Sequence, residues 1–398
     1  MKHINYKNVD IFNPTLEHLI LRQNIVNFVK KEIEPTAHIR DKNELFDVLL
    51  FKKLGSLGLL GITAPIKFGG SGMDVISVVI ANEEISYSDP GFCLAYLAHS
   101  LLCVNNIAIN ASDQQKQDVL PKLCSGDWVG AMALTESHCG TDALNMKTTA
   151  KKIGDGYLIN GRKMWITNGA IDNYGRAADC VFLYAVTAKN KGKKQISTFL
   201  VKNNIKNYSV GQIIKGKLGM RASITAELVF DNCLVPFSCL VGKENDSLVH
   251  MMKNLEIERL GLSAMSIGIA RRALNIMKKY ANERISFGKK LLHFGQIQRY
   301  IANSYSELLA CRHYLYNIAK DIHLSMNKNR LDSDGVKLVC SRMAKKVADR
   351  AIQVLGANGY VSEYIVERLF RDSKLLEIGG GTIEAHQKNI VSDLISNV

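Results

Sequence analysis

A chain of 398 residues with 47% hydrophobic content buries a large core and is expected to divide into two or three domains. Its formal charge of +14 admits a phosphate-bearing ligand. The lysines, however, are spread in pairs such as Lys30-Lys31 and Lys151-Lys152, without the dense, aromatic-interleaved stripe of a nucleic-acid-binding surface. The nine cysteines include no CxxC pair, and no HExxH occurs, which argues for reduced, buried thiols and against a disulfide framework or a metal site.

The opening "MKHINYKNVDIF" has neither an apolar run with a cleavage site nor an Arg-rich amphipathic pattern. No window approaches the roughly 18 to 20 uninterrupted apolar residues of a spanning helix. The expectation is a bacterial cytoplasmic protein, or a processed mitochondrial matrix form, without membrane insertion. From about residue 15 to 125 the pattern is helical: "LRQNIVNFVKKEI" places Leu21, Ile25, Phe28 and Val29 on one face. "IAINASDQQKQDVLPKLCSG" reads as another amphipathic segment, stopped by Gly126. Between about 129 and 240 the period changes to two. "CVFLYAVT", "ISTFLVK" and "AELVFDNCLVP" are short, β-branched and aromatic, and no helices of 10–15 residues separate them. That favours a small antiparallel barrel or sandwich over a βαβ sheet. From about 245 the helical period returns, and "KKVADRAIQVLGANGY" aligns Val347, Ala351 and Leu355 before stopping at Gly356. The expected domains are therefore 1–128 (helical), 129–243 (β-barrel) and 244–398 (helical bundle).

Several apparent motifs fail on chemistry. "GQIIKGKL" misses a Walker A loop because Leu218 stands where the metal-binding hydroxyl must be, and "GGSGM" misses a nucleophile elbow at Met73. No G-x-G-x-x-G occurs, so a cofactor is not held in the Rossmann manner. More informative are "ALTESHCGTD", with hydroxyls at Thr135 and Thr141, and "INGRKMWITNG", where Trp165 and Thr167 are two apart on one strand face. An aromatic surface beside hydroxyl donors suits a flat heteroaromatic ligand, although a core Trp with two turn threonines is the plainer alternative. In "ERISFGKKLLHFGQIQ", Arg284 has the fork to clamp a pyrophosphate. "LLEIGGGTIEAHQ" places three bare residues, Gly379 to Gly381, near the end of a helical stretch.

The ordered set "ALTESHCGTD", "KMWITNG", "KLGMRAS", "ERISFGKK", "QVLGANGY" and "RLFRDSKLLEIGGGT" resembles the acyl-CoA dehydrogenase family over essentially the whole chain. The resemblance implies an N-terminal helical domain, a middle antiparallel β-barrel or sandwich, and a C-terminal helical bundle. It also implies FAD, an acyl-CoA substrate, electron-transferring flavoprotein as acceptor, and a homo-oligomer, a tetramer. By similarity, Thr135 and Thr167 bond the isoalloxazine edge, Trp165 packs on the flavin, and Thr141 meets the cofactor and the CoA arm. Arg284, Phe287, Gln353 and Gly356 are expected to hold the FAD of a neighbouring subunit. Thr382 and Glu384 are expected to contact the flavin cofactor as well. Departures are Ser137 for Pro, Thr141 for Ser, Gly295 for a cofactor-binding Gln, Ala357 for Gly, and an insertion at Ile171–Gly175.

Most relatives carry the base that removes the α-proton directly before the "GT" that is here Gly381-Thr382, and this chain has Gly380 there. The isovaleryl-CoA dehydrogenase branch instead places it on a helix, and "NLEIERLGLSA" matches with Glu258, followed by Arg259 at the substrate site. Glu256 is the competing carboxylate. Helical geometry turns it about 200° away, so it is expected on a solvated face. By the same resemblance Gly379 leaves room for a methyl branch, and Gly380 keeps a backbone N–H for the thioester carbonyl. The expectation is oxidation of isovaleryl-CoA to 3-methylcrotonyl-CoA. The alternatives are another short-chain or 2-methyl-branched acyl-CoA, or a non-catalytic helical scaffold.

Overall fold

The computed structural model describes residues 10–322 and 330–396; residues 1–9, on which most of the N-terminal reading rests, lie outside the described residues. Seven α-helices come first: α1 (Leu16–Phe28), α2 (Ala37–Asn43), α3 (Val48–Ser56), α4 (Val75–Ser88), α5 (Pro90–Leu97), α6 (Asn106–Asn110) and α7 (Asp113–Ser125). Thr15 caps α1 by accepting from the His18 N–H, and Leu21, Ile25 and Val29 are buried with Phe28 half-buried. The amphipathic segment that ends at Gly126 comprises two helices. α6 ends at Ala111, and Ser112 restarts the chain with a capping box to Gln115 before Gly126 closes α7 at φ 79°. A reciprocal cap of this kind satisfies two orphan donors, and that is reason enough for the break. The stretch Pro90–Asn110 has the length and mean hydropathy of a spanning helix, yet 83% of its most apolar window is buried in the fold. It is apolar all round because protein surrounds it.

Eight strands follow: β1 (Gly130–Ala133), β2 (Thr149–Ile153), β3 (Gly156–Thr167), β4 (Cys180–Asn190), β5 (Lys193–Lys202), β6 (Tyr208–Ile213), β7 (Thr225–Pro236) and β8 (Leu240–Val241). They pair in the order β6-β7-β3-β2-β4-β5-β8, with β1 on β4. Most pairings are antiparallel, but β4 runs parallel to both β1 and β2. A period of two carries no information about neighbour direction. Residues Cys180–Val186 of β4 are buried on both faces, Phe182 and Tyr184 toward the helices and Val181, Leu183 and Ala185 inside the sheet.

Helices then return as α8 (Ser247–Glu283), α9 (Gly295–Asp321), α10 (Arg330–Leu355), α11 (Ala357–Tyr360), α12 (Val366–Leu376) and α13 (Ile383–Ser396). α8 runs against α4 and α10 through the middle of the fold. A β-carbon at Gly268 would strike Ser86 and the Glu83 carbonyl, so the close approach of α8 to α4 requires that glycine. Glu83 and Glu84 on α4 meet Arg22 of α1 and Arg271 of α8, and Glu83 also meets Arg312 of α9, so charge ties four helices together. Val347, Ala351 and Leu355 are all buried, and α10 ends where Gly356 takes φ 61°. All nine cysteines are buried and free.

Candidate active site

β1 delivers the chain to Thr135, and the next residue anchors the loop. Glu136 is buried, accepts the backbone N–H groups of Lys147 (2.8 Å) and Thr148 (2.9 Å), and pairs with Lys163 Nζ at 3.0 Å. Lys163 also donates to the Leu134 carbonyl at 2.9 Å, and the Met164 N–H donates to the Thr135 carbonyl at 2.9 Å. Burial pushes the Glu136 carboxyl up, but Lys163 and the amides of Thr148 and Lys147 outweigh it and hold it below its ordinary value. Burial lowers Lys163. The two side chains face each other as a buried pair at 3.0 Å. Sequence reasoning passed over this pair, and the available signal was a lysine inside a half-buried strand.

One step along β3 the ladder to β7 breaks register between Lys163 and Ile166. Trp165 sits in that bulge with φ 63° and is 57% exposed, whereas Ile166 is buried and Thr167 half-buried. The bulge leaves the indole exposed, two residues from the half-buried Thr167. Asn168, also left-handed at φ 61°, donates from Nδ2 to the carbonyls of Ala95 (2.9 Å) and Gly130 (3.3 Å). It locks the strand end to α5 and β1. Thr141 is exposed beyond the Gly140 turn, and the insertion Ile171–Gly175 buries Ile171 while leaving Tyr174 exposed.

The glycine run closes onto α8. Gly379 donates to the Leu375 carbonyl at 2.7 Å and has no left-handed backbone, so nothing local demands a glycine there. Gly380 (φ 66°) and Gly381 (φ 102°) are different, because their conformations exclude most side chains. A β-carbon at Gly380 would collide with Leu262 and stand 3.4 Å from Glu258 Oε1. One at Gly381 would lie 2.7 Å from the His386 ring. Among the described residues the Gly380 N–H donates to no group, which leaves it free as an oxyanion donor.

Glu258 is thus 7% exposed and directly opposite Gly380, with its Oε2 lacking any hydrogen-bond partner among the described residues. Burial pushes it up to about 7, against the opposing pull of Arg259 and Lys337. The Tyr184 phenol of β4 is pushed up by its own burial and then by Glu258. Arg259 is buried and engages Asp334 Oδ1 at 3.3 Å and Ser333 Oγ at 3.4 Å. The expectation of a solvated Glu256 is wrong: it is 2% exposed. Its charge helps hold up Arg330, after Asp393 and Asp334, so it serves the start of α10 and not the glycine run. α8 is enclosed on more than one side, and a carboxylate turned away from the site still meets protein.

The remaining candidates form a separate surface. Arg284 and Phe287 lie in a hairpin of β9 (Ile285–Ser286) and β10 (Lys289–Lys290), where Phe287 is 93% exposed at φ 51°. Gln353 and Gly356 are exposed at the end of α10, and Asn358 just beyond donates to Tyr280 of α8 at 3.0 Å. No hydrogen bond, ion pair or ring contact among the described residues joins Arg284 or Phe287 to Thr135, Trp165 or Thr167. Thr382 and Glu384 line a cavity of about 480 Å³ with Arg342 and Lys374. An exposed indole with hydroxyls in one place, and an exposed guanidinium, phenyl ring and bare glycine in another, fit a long cofactor with a flat head and an anionic tail.

Family models for the acyl-CoA dehydrogenase N-terminal, middle and C-terminal domains match residues 15–127, 131–233 and 248–395. The chain belongs to the acyl-CoA dehydrogenase family. Its members are flavin-dependent oxidoreductases, and FAD is its cofactor. It is 40% identical to the mitochondrial isovaleryl-CoA dehydrogenase of Arabidopsis thaliana, over 92% of this chain and 88% of that one. Butyryl-CoA dehydrogenase from Megasphaera elsdenii superposes with a TM-score of 0.89 at 32% identity, covering 98% of this chain and 100% of that one. An acyl-CoA dehydrogenase from Bacillus anthracis, solved complexed with FAD, gives 0.88 at 29% identity over 96% and 67%. The helix–strand–helix architecture expected for an acyl-CoA dehydrogenase is the one observed.

Proposed function

We propose that this acyl-CoA dehydrogenase oxidises a short branched acyl-CoA, isovaleryl-CoA, to 3-methylcrotonyl-CoA, with Glu258 as the base. One observation carries the reading: beside Leu262, the buried carboxylate of Glu258 faces the place of the missing carboxylate at Gly380, 3.4 Å from where a β-carbon would stand. The identity to an isovaleryl-CoA dehydrogenase supports the choice of acyl chain. FAD held by this chain's residues would supply the acceptor for the β-hydrogen, which leaves as hydride. Glu258 removes the α-proton at its free carboxylate oxygen, and the Gly380 N–H polarises the thioester carbonyl. Leu262 and Tyr184 keep water from the carboxylate. Thr135, Trp165 and Thr167 take the flavin head, with Thr382 and Glu384 beside it, and Thr141 and Arg259 attend the substrate. Arg284, Phe287, Gln353 and Gly356 hold the tail of a neighbouring subunit's FAD, which requires a homo-oligomer, a tetramer by our reading. Electron-transferring flavoprotein is the acceptor. The domain division 1–128, 129–243 and 244–398 belongs to the same proposal.

Anaerobic titration with a panel of acyl-CoAs, followed by flavin absorbance, tests cofactor, chemistry and chain preference together. Isovaleryl-CoA should bleach the flavin at the highest kcat/KM. A higher value for butyryl-CoA would transfer the assignment to the straight-chain reading that the Megasphaera likeness favours.

The pH dependence follows from the burial of Glu258. Its carboxyl is raised to about 7 and must be ionised to accept a proton, so activity is absent well below pH 7 and rises through it. The initial rate of anaerobic bleaching should show that acid limb. A limb near the ordinary carboxylate value of about 4 would point to an exposed base instead.

Gly379 is predicted to set chain preference. Its backbone accepts any residue, and a β-carbon there makes ordinary contact with Leu375 at 3.5 Å. Gly379→Phe should therefore fold, and should lower kcat/KM for isovaleryl-CoA relative to butyryl-CoA by about 10- to 200-fold. An unchanged ratio would remove the pocket role.

A further inference from the structure

α10 brings a second buried charge to the base. Lys337 has no exposed surface, and its ammonium donates to the carbonyl of Leu376, the last residue of α12. That carbonyl comes directly before the turn that carries the three glycines. An ammonium so placed has left water and needs a counter-charge.

The surrounding charges are mostly committed elsewhere. Asp334, one turn earlier on α10, takes Arg259 Nε at 3.3 Å and the Nδ1 of His386 from α13. Glu377 is paired with Lys374 at 2.7 Å. No carboxylate among the described residues stands within ion-pair distance of Lys337. What remains is Glu258, whose Oε2 is unbonded and whose field is the main influence sustaining the charge on Lys337 against burial. Glu258 is faced by Arg259 from its own helix, by Lys337 from α10 and by the Tyr184 phenol from β4. Of these, Lys337 is the cation without a carboxylate of its own.

We propose that Lys337 is a positioning residue that keeps Glu258 ionised between turnovers and anchors the glycine run opposite it. One ammonium thereby holds the turn of the glycine run by its hydrogen bond to Leu376 and lends its charge to the carboxylate opposite. The proposal rests on Glu258 being the base.

Charge and hydrogen bond are separable by substitution. Lys337→Gln retains a donor for Leu376 without the charge, and Lys337→Arg retains the charge. Two readouts are needed: the pH dependence of anaerobic flavin reduction, and the infrared carboxylic band of protonated Glu258 in substrate-free protein. The band is assigned by its loss in Glu258→Gln. In Lys337→Gln both midpoints should move up by about one pH unit or more, and in Lys337→Arg they should stay within half of that. Lys337→Met repeats the measurement should the Gln variant not fold. A uniform loss of rate at every pH, with both midpoints unmoved, would reduce Lys337 to a structural residue and overturn the proposal. Should Glu258→Gln still bleach at a normal rate, the base assignment fails first. Should it be inert while the Lys337 midpoints stay fixed, only the present inference fails.

Discussion

Glu258→Gln retains yellow flavin and binds acyl-CoA, but its anaerobic bleaching by substrate slows by about 10²- to 10⁴-fold, the usual contribution of a positioned general base. The amide matches the carboxylate in shape, so packing against Leu262 and the bare face of Gly380 survives. What disappears is the one group able to receive the α-proton at that point. Glu256→Gln is the matched control. That carboxylate lies on the same helix and is also buried, but its charge serves Arg330. It should affect stability more than rate. Comparable rate losses in the two variants would mean that neither is the base. Moving the carboxylate to Gly380 should not restore activity, because a side chain there meets φ 66° and collides with Leu262.

The second large effect is expected far from the proton. Glu136→Ala leaves the Lys163 ammonium buried without its partner, at a cost of about 3–5 kcal/mol. It also frees the amides of Lys147 and Thr148 and loosens the loop that carries Thr135. The measurable result is a lower unfolding temperature together with weaker retention of FAD on gel filtration. Lys163→Met should act in the same direction. The double variant should cost less than the sum of the two, because the pair is removed whole. An unshifted melting temperature with normal FAD content would show that the loop holds its shape without the ion pair.

The two predictions differ in how far the sequence alone could lead. Glu258 was legible because an expected carboxylate was absent from a motif and a second motif upstream offered one. Nothing in that reasoning required the two segments to touch. The structure brings Glu258 within 3.4 Å of the Gly380 position across 122 residues of chain, by packing α8 beneath the turn after α12. Glu136 and Lys163 had no such motif. Their pairing joins the loop after β1 to the interior of β3 and is visible only once both are folded. Trp165 lies between these cases: its place on one strand face with Thr167 was legible from their spacing, while its exposure, and the bulge and left-handed backbone that cause it, were not.

Local periodicity was sufficient for the order of helices and strands, for the buried stripes of α1 and α10, and for the stops at Gly126 and Gly356. These depend on residues three to four apart or two apart, distances within which a sequence holds its own information. It could not determine that β4 runs parallel to two neighbours, that Glu256 is enclosed, or that Lys337 is buried against the Leu376 carbonyl. Those properties depend on what surrounds a residue in space. Desolvation by distant segments, not the identity of the side chain, turns an ordinary carboxylate into one that titrates near 7.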